Sequence, residues 1–255
     1  MTFSEPPAGP LDADALARLR KDLALGQAED ATFDALYAAS IQARSSRFWT
    51  PLKVATRAAR LFAQRDVRRV LDVGSGSGKF CLTAAAVCPD LDFTGIEQRP
   101  HLVEAARLAA ARLQLENARF LVGAVTDLPW PDLDGLYLYN PFAENVSTDL
   151  EIIDDTVELS TPRYMSDVRF VGAVIRGAPV GTCMVTYHGF GGPIPVSYDL
   201  VHAERAHTDW LRVWVKKREQ GDGRTCYVED GDDLLIVSSV SGKTVTERVR
   251  GVEVE

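Results

Sequence analysis

Apolar residues recur at helical spacing through much of the first half of the chain. Leu11, Ala15, Leu16, Leu19 and Leu23 share one face of a helix predicted over 12–25, which Gly26 stops. Phe33, Leu36, Tyr37 and Ile41 predict a second helix over 30–44, broken at 45–49. Leu52, Ala55, Ala58, Ala59 and Phe62 predict a third, with Thr50 as N-cap and Pro51 at the first helical position. Leu102, Ala106, Ala109 and Leu113 predict a helix over 100–115 that ends near Asn117. Tyr164, Val168, Val171 and Ile175 predict another over 163–177.

Between the helices lie short apolar and β-branched runs. Strands are predicted around 70–73, at 92–97, 118–122, 135–139 and 182–187, then as a hairpin at 198–204 and 210–217. Three further β-like pieces, 225–228, 234–239 and 244–254, are joined by Asp-Gly and Ser-Gly turns. The pattern divides the chain into an N-terminal arm with helices (1–49), an alternating β/α domain (50–217) and a β-rich extension (218–255). The extension is expected to cover a sheet edge, to mediate oligomerisation or to bind a partner.

Composition narrows the class. At 255 residues the chain suits one domain with decorations. No apolar run is long enough to span a bilayer. Residues 1–10 lack the basic start and apolar run of a secretory signal, and residues 4–10 read as a loose arm. Cys81, Cys88, Cys183 and Cys226 show no C-x-x-C spacing, so free thiols and a reducing, cytoplasmic setting are expected. No metal-ligand spacing is evident. The net charge of −8 argues against a bare duplex-nucleic-acid binder, although it leaves room for a local basic groove.

The chemistry centres on Asp72-Val73-Gly74-Ser75-Gly76-Ser77-Gly78-Lys79. A strand here runs into a glycine turn and then into a helix predicted from about Lys79 to Val87. Glycine accepts positive φ and lets a ligand approach the main chain. A dinucleotide site wants G-x-G-x-x-G, but Lys79 stands where the third glycine would be. The second strand ends at Glu97, 19 residues after Gly78. That spacing fits a βαβ unit, with a carboxylate able to accept hydrogen bonds from both hydroxyls of a ribose.

The D-x-G-x-G-x-G pattern resembles motif I of the class I S-adenosylmethionine methyltransferases. The resemblance covers about residues 50–217. It implies a three-layer α/β sandwich with a seven-stranded, mostly parallel Rossmann-like sheet in the order 3-2-1-4-5-7-6, the last strand antiparallel. It implies S-adenosylmethionine as cofactor, held by Asp72, Gly74, Ser75, Gly76, Gly78, Glu97, Gln98, Gly123, Ala124, Asp127 and Asn140. Asp72 would meet the methionine amino group. The family usually has an acidic residue after the small residue at the third strand end, to bind the adenine amine. Here that position is Ala124, and Asp127 is the nearest carboxylate, either for adenine or as a loop cap.

The fourth strand ends in Asn140-Pro141-Phe142. This triplet resembles the [DN]-P-P-[YFW] motif of amino-group methyltransferases acting on adenine or glutamine, without its second proline. It also resembles the asparagine-phenylalanine segment of histone-lysine methyltransferases that lack a SET domain. Asn140 is expected to orient an acceptor amine and Phe142 to pack on the acceptor. His188, after the fifth strand, is either a general base or a hydrogen-bonded structural histidine. Phe48 and Trp49 are expected at the pocket edge or in the packing of the N-terminal helices. The acidic stretch 144–158 is either a lid that attracts a basic substrate or a solvated helix face.

The expected reaction is in-line methyl transfer to nitrogen of a small-molecule amine or a protein side chain. Nucleic acid is disfavoured by the acidic charge and the missing proline. The alternatives are a methyltransferase acting on an RNA or DNA base, and a non-catalytic S-adenosylmethionine binder.

Overall fold

The computed structural model describes residues 11–43, 48–130, 132–147, 152–219, 225–240 and 243–250. A seven-stranded sheet contains β1 (Arg69–Val73), β2 (Asp92–Glu97), β3 (Ala118–Val122), β4 (Gly135–Leu138), β5 (Cys183–Tyr187), β7 (Tyr198–Ala206) and β8 (Asp209–Lys216). Its order is β3-β2-β1-β4-β5-β8-β7. The first five strands run parallel, and β8 is antiparallel to both neighbours. This is the expected order, with its antiparallel seventh strand. β1 is central and buried, so residues one apart face opposite layers. Val70 joins the apolar layer on one face, and Leu71 and Val73 join the layer on the other.

The first face is covered by α1 (Ala13–Leu25), α4 (Leu52–Ala63), α5 (Lys79–Val87) and α6 (Pro100–Leu113). The second is covered by α7 (Thr161–Gly177) through Val168, Val171 and Ile175. The loop from β3 to β4 carries no helix among the described residues, and α7 lies over its apolar side chains. Ser160 caps α7, its hydroxyl accepting from Arg163 N. Buried Lys216 on β8 donates to the carbonyls of Arg176 and Ala178 at the other end of α7.

The extension forms a second sheet, β11-β10-β9-β6, of β9 (Thr225–Asp230), β10 (Asp233–Val240), β11 (Lys243–Val249) and the two-residue β6 (Ile194–Pro195). The strand at 194–195 is too short for a periodic signal, and the sequence reading missed it. Glu229 fastens this sheet to the first: its Oε1 accepts from Thr186 at 3.0 Å and from Arg212 at 2.9 Å. The expected last strand reached residue 254. β11 ends at Val249, and residues 251–255 lie outside those described.

Three local expectations differ. The helix over 30–44 is two short ones, α2 (Asp30–Asp34) and α3 (Ala39–Gln42). Between them Tyr37 turns inward and donates to Ser77 O at 2.8 Å. Thr50 does not cap α4, because its hydroxyl is buried against the Tyr137 hydroxyl at 3.2 Å. Asp30 accepts from Leu52 N at 3.1 Å instead. The helix at 100–113 ends at Gln114 with φ +56°, ahead of Asn117. The Asn117 amide instead donates to the carbonyls of Ala85, Cys88 and Leu91.

Candidate active site

The parallel strands β1, β2, β3 and β4 all end at one cavity of about 410 Å³. Asp72 to Gly76, Glu97, Gln98, Gly123, Ala124, and Asn140 to Phe142 all line it. The carboxyl ends of a doubly wound sheet, where the strand order reverses, are where such folds bind ligands.

The glycine turn is held from within. Gly74 N and Ser75 N both donate to Ile96 O at 2.9 Å, Gly78 N donates to Ser75 O at 2.8 Å, and Gly76 N donates to Glu97 Oε2 at 3.1 Å. These amides are already engaged, so the turn does not present the open N–H nest that a pyrophosphate requires. The glycines divide by role. Gly76 has φ +54° and open space where a Cβ would project. Gly78 has φ +85°, and a Cβ there would sit 2.6 Å from the Phe120 ring. Gly78 therefore serves helix-to-sheet packing and is not part of the cavity wall. The Ser75 hydroxyl is buried without a hydrogen-bond partner, 2.5 Å from where a Cβ on Gly95 would project.

Two buried carboxylates face this space. Burial pushes Asp72 up to about 7, opposed by a hydrogen bond from the Cys81 thiol and reinforced by the charge of Glu97. Burial also raises Glu97, opposed by hydrogen bonds from Arg99 N and Gly76 N and by the Arg99 charge. Each Glu97 oxygen holds one main-chain donor, at 2.9 and 3.1 Å, and keeps a lone pair for a ligand hydroxyl.

Among the described residues three lysine or arginine side chains border the cavity, and each is tied to the protein. Lys79 is 4% exposed and pairs with Asp30 at 2.6 Å and Asp34 at 2.7 Å. Arg99 is 1% exposed and pairs with Glu144 and Asp154 at 2.8 and 2.9 Å. Arg163 donates to Gln98 Oε1 at 2.8 Å. Lys79 thereby anchors the N-terminal helices, whose Ser40 and Ile41 join Phe48 and Trp49 in the wall. Sequence reasoning missed the partners of Lys79 and the part played by Arg99. A basic residue directly after the Glu97 strand end was the available signal.

The acidic stretch is not a helix face. Ala143–Val146 is a 3-10 turn and residues 152–160 are irregular, while Asp149 and Glu151 lie outside the described residues. Glu144 and Asp154 are turned inward onto Arg99, and Glu144 also accepts from Ile153 N at 2.5 Å. Asp154, fastened to Arg99, lines the cavity together with Ile153.

Asn140 sits at the β4 end with φ +40°, its amide donating to Gly189 O at 2.8 Å. Its side chain is exposed and borders the cavity, as do Pro141 and Phe142. Phe142 is largely buried in the second apolar layer, so the open aromatic wall is formed more by Phe48, Trp49 and Tyr139. His188 lies outside the cavity lining. Its Nδ1 is 2.9 Å from Asp209 and its Nε2 is 3.1 Å from the Thr208 hydroxyl, so both ring nitrogens have protein partners. Asp127 is exposed, also lies outside the lining, and accepts from the Thr126 hydroxyl at 2.9 Å.

S-adenosylmethionine fits these residues. Asp72 can meet a cationic amine, Glu97 can meet a diol, and Gly76 leaves the main chain open to close approach.

Residues 65–157 match a family model described as a methyltransferase domain. The chain is 37% identical over 103 residues to release factor glutamine methyltransferase of Vibrio cholerae, covering 40% of this chain and 32% of that protein. It is 49% identical over 51 residues to tRNA (guanine-N(7)-)-methyltransferase of a Synechococcus species, covering 20% of this chain and 22% of that protein. The curated relatives are thus matched over about a third of their length or less. An RNA methyltransferase structure from Salinibacter ruber, in complex with S-adenosyl-L-homocysteine, aligns with a TM-score of 0.48 at 19% identity, covering 68% of this chain and 96% of that one. No described helix is long and apolar enough to cross a membrane. Residues 65–157, which hold the glycine turn and both buried carboxylates, thus match a methyltransferase domain, set on a seven-stranded sheet of Rossmann-like order.

Proposed function

We propose that the protein transfers a methyl group from S-adenosylmethionine to a nitrogen of a small-molecule amine or a protein side chain. The observation that carries this reading is Asn140, an exposed amide at the β4 end, held with φ +40° beside the glycine turn. A Cβ on Gly74 would lie 2.9 Å from the Pro141 ring, so the Asn-Pro-Phe corner and the turn are in contact.

When bound, the cofactor would supply a methyl carbon made electrophilic by a cationic sulfur, open to an amine lone pair. Glu97 would accept from the ribose hydroxyls and Asp72 would meet the methionine ammonium. The Asn140 carbonyl oxygen accepts an N–H of the acceptor and aims its lone pair along the transfer line. Phe48, Trp49 and Tyr139 bury the apolar part of the acceptor and keep water out. His188, with both nitrogens engaged, is not assigned as the base. A proton leaving the methylated amine passes to solvent at the exposed Asn140 side.

Among the described residues, engagement of Lys79, Arg99 and Arg163 favours an uncharged or cationic acceptor over a phosphate-bearing one. A second reading, transfer to a nucleic-acid base, is favoured by the 49% identity to a tRNA methyltransferase over 51 residues. Incubation with methyl-labelled cofactor and fractionated cell extract separates the two. Label in small amines or protein supports the first reading, and label in RNA supports the second. Asn140→Ala is expected to slow transfer by about tenfold or more. Transfer at the full rate would remove Asn140 from the mechanism.

A further inference from the structure

Asp167 on α7 is only 6% exposed, yet it lines the cavity together with Gly123, Ala124 and Val125. Its nearest cation, Arg163 Nε, lies 3.6 Å from Oδ2, beyond hydrogen-bond length. The guanidinium is shared, with Nη2 donating to Gln98 at 2.8 Å. Arg163 is thus a long-range partner that leaves Asp167 acceptor capacity for a donor brought into the cavity.

The fold explains how a residue of α7 reaches this place. With no helix between β3 and β4 among the described residues, α7 lies directly over the loop that follows β3. Trp130 of that loop packs edge-on against Phe170 of α7, centroids 5.8 Å apart, and donates to Val125 O at 2.9 Å. The first half of α7 therefore roofs Gly123 to Val125. Leu102, Ala124 and Val125 give this end of the cavity apolar walls suited to a flat ring.

The position along the cavity follows from the register. Glu97 pairs with Val122 across β2 and β3, so the Gly123 loop is one strand beyond the ribose carboxylate. A nucleoside whose ribose sits on Glu97 places its base there. We propose that Asp167 accepts a hydrogen bond from the exocyclic amine of the bound adenine and makes the site selective for an aminopurine. The proposal rests on the S-adenosylmethionine reading above and supplies, from another element, the acceptor missing at Ala124. Asp127, on the outer side of the same loop, is the competing candidate.

The test compares direct binding of S-adenosylhomocysteine and S-inosylhomocysteine, in which a carbonyl oxygen replaces the amine. The wild-type protein is expected to bind the inosine analogue about tenfold or more weakly. Equal affinities in the wild type overturn amine recognition without any variant. Asp167→Ala should shrink the preference to about threefold or less, mainly by weakening the adenine ligand. Asp167→Asn, which keeps a carbonyl acceptor, should retain most of it. Asp127→Ala should leave it unchanged. Should the alanine variant fail to fold, Asp167→Ser is the second truncation. A preference that survives in the truncated variant, or that is lost in Asp127→Ala, overturns the assignment. Failure of the wild type to bind either ligand overturns the cofactor reading as well, a result distinct from selective loss.

Discussion

Arg99 and Glu144 meet side-on, with Nη2 2.8 Å from Oε1 and Nη1 3.0 Å from Oε2, and the Arg99 side chain is only 1% exposed. One residue follows the β2 end and the other follows the β4 end, so the pair links two loops of the cavity rim. Asp154 takes Arg99 Nε at 2.9 Å and brings the 152–160 stretch into the same fastening. Removing the guanidinium leaves two carboxylates facing each other. Arg99→Ala is therefore expected to cost about 3–5 kcal/mol in denaturant unfolding and to open residues 152–160 to proteolysis. A loss below about 1 kcal/mol, the usual worth of a surface pair, would contradict the fastening.

Asp72 should make cofactor affinity depend on pH. Burial pushes its carboxyl up to about 7 from an ordinary value of 3.8. Between those values the folded chain holds a proton that the unfolded chain has released. Stability of the ligand-free protein therefore falls as pH rises across that window. A bound ammonium needs the ionised form, so affinity moves the other way, rising about tenfold per pH unit below 7 and levelling above it. Calorimetry from about pH 5.5 to 8.5 reads this slope, which Asp72→Asn should flatten. An affinity independent of pH in the wild type would remove Asp72 from the contact.

The two glycines of the turn should separate stability from binding. Gly78→Ala sets a Cβ 2.6 Å from the Phe120 ring and 2.9 Å from Ala106 Cβ, at φ +85°. It is expected to destabilise by about 2–4 kcal/mol through overpacking and strain. Gly76→Ala meets nothing within 4 Å. It should cost about 1 kcal/mol from its positive φ and weaken cofactor binding by about tenfold or more, because the added methyl group fills the cradle. Thermal unfolding and binding isotherms of the two variants check the contrast. Equal effects on both readouts would contradict the division of roles.

The local signals in the sequence carried far. Alternation of strand and helix, the glycines at 74, 76 and 78 and the carboxylate at Glu97 are short-range patterns that marked the cavity floor, while the sheet order followed from the family resemblance they carry. The differences arise from pairs distant in the chain. Tyr37 broke its helix to reach the Ser77 carbonyl, 40 residues away. Thr50 left its cap for Tyr137, 87 residues away. His188 reads as either a base or a hydrogen-bonded structural histidine, and only Thr208 and Asp209 beside it decide for the second. Acidity at 144–158 reads as either a lid or a solvated face, and neither reading names Arg99, which lies beneath Glu144 and Asp154. Asp167 sits in an ordinary amphipathic helix, and only the helix-free loop beneath α7 brings it to the cavity. Periodicity reports which face of an element is buried, but not which polar group waits on the other side.

The cavity between the glycine turn and Glu97 as an S-adenosylmethionine site is tested most directly by titrating S-adenosylhomocysteine into the wild type and Glu97→Ala in a calorimeter. The expected result is one saturable site per chain in the wild type, weakened by about ten- to a hundredfold in the variant, as for a lost pair of charge-assisted hydrogen bonds. No saturable heat in the wild type, or equal affinity in Glu97→Ala, would contradict the account.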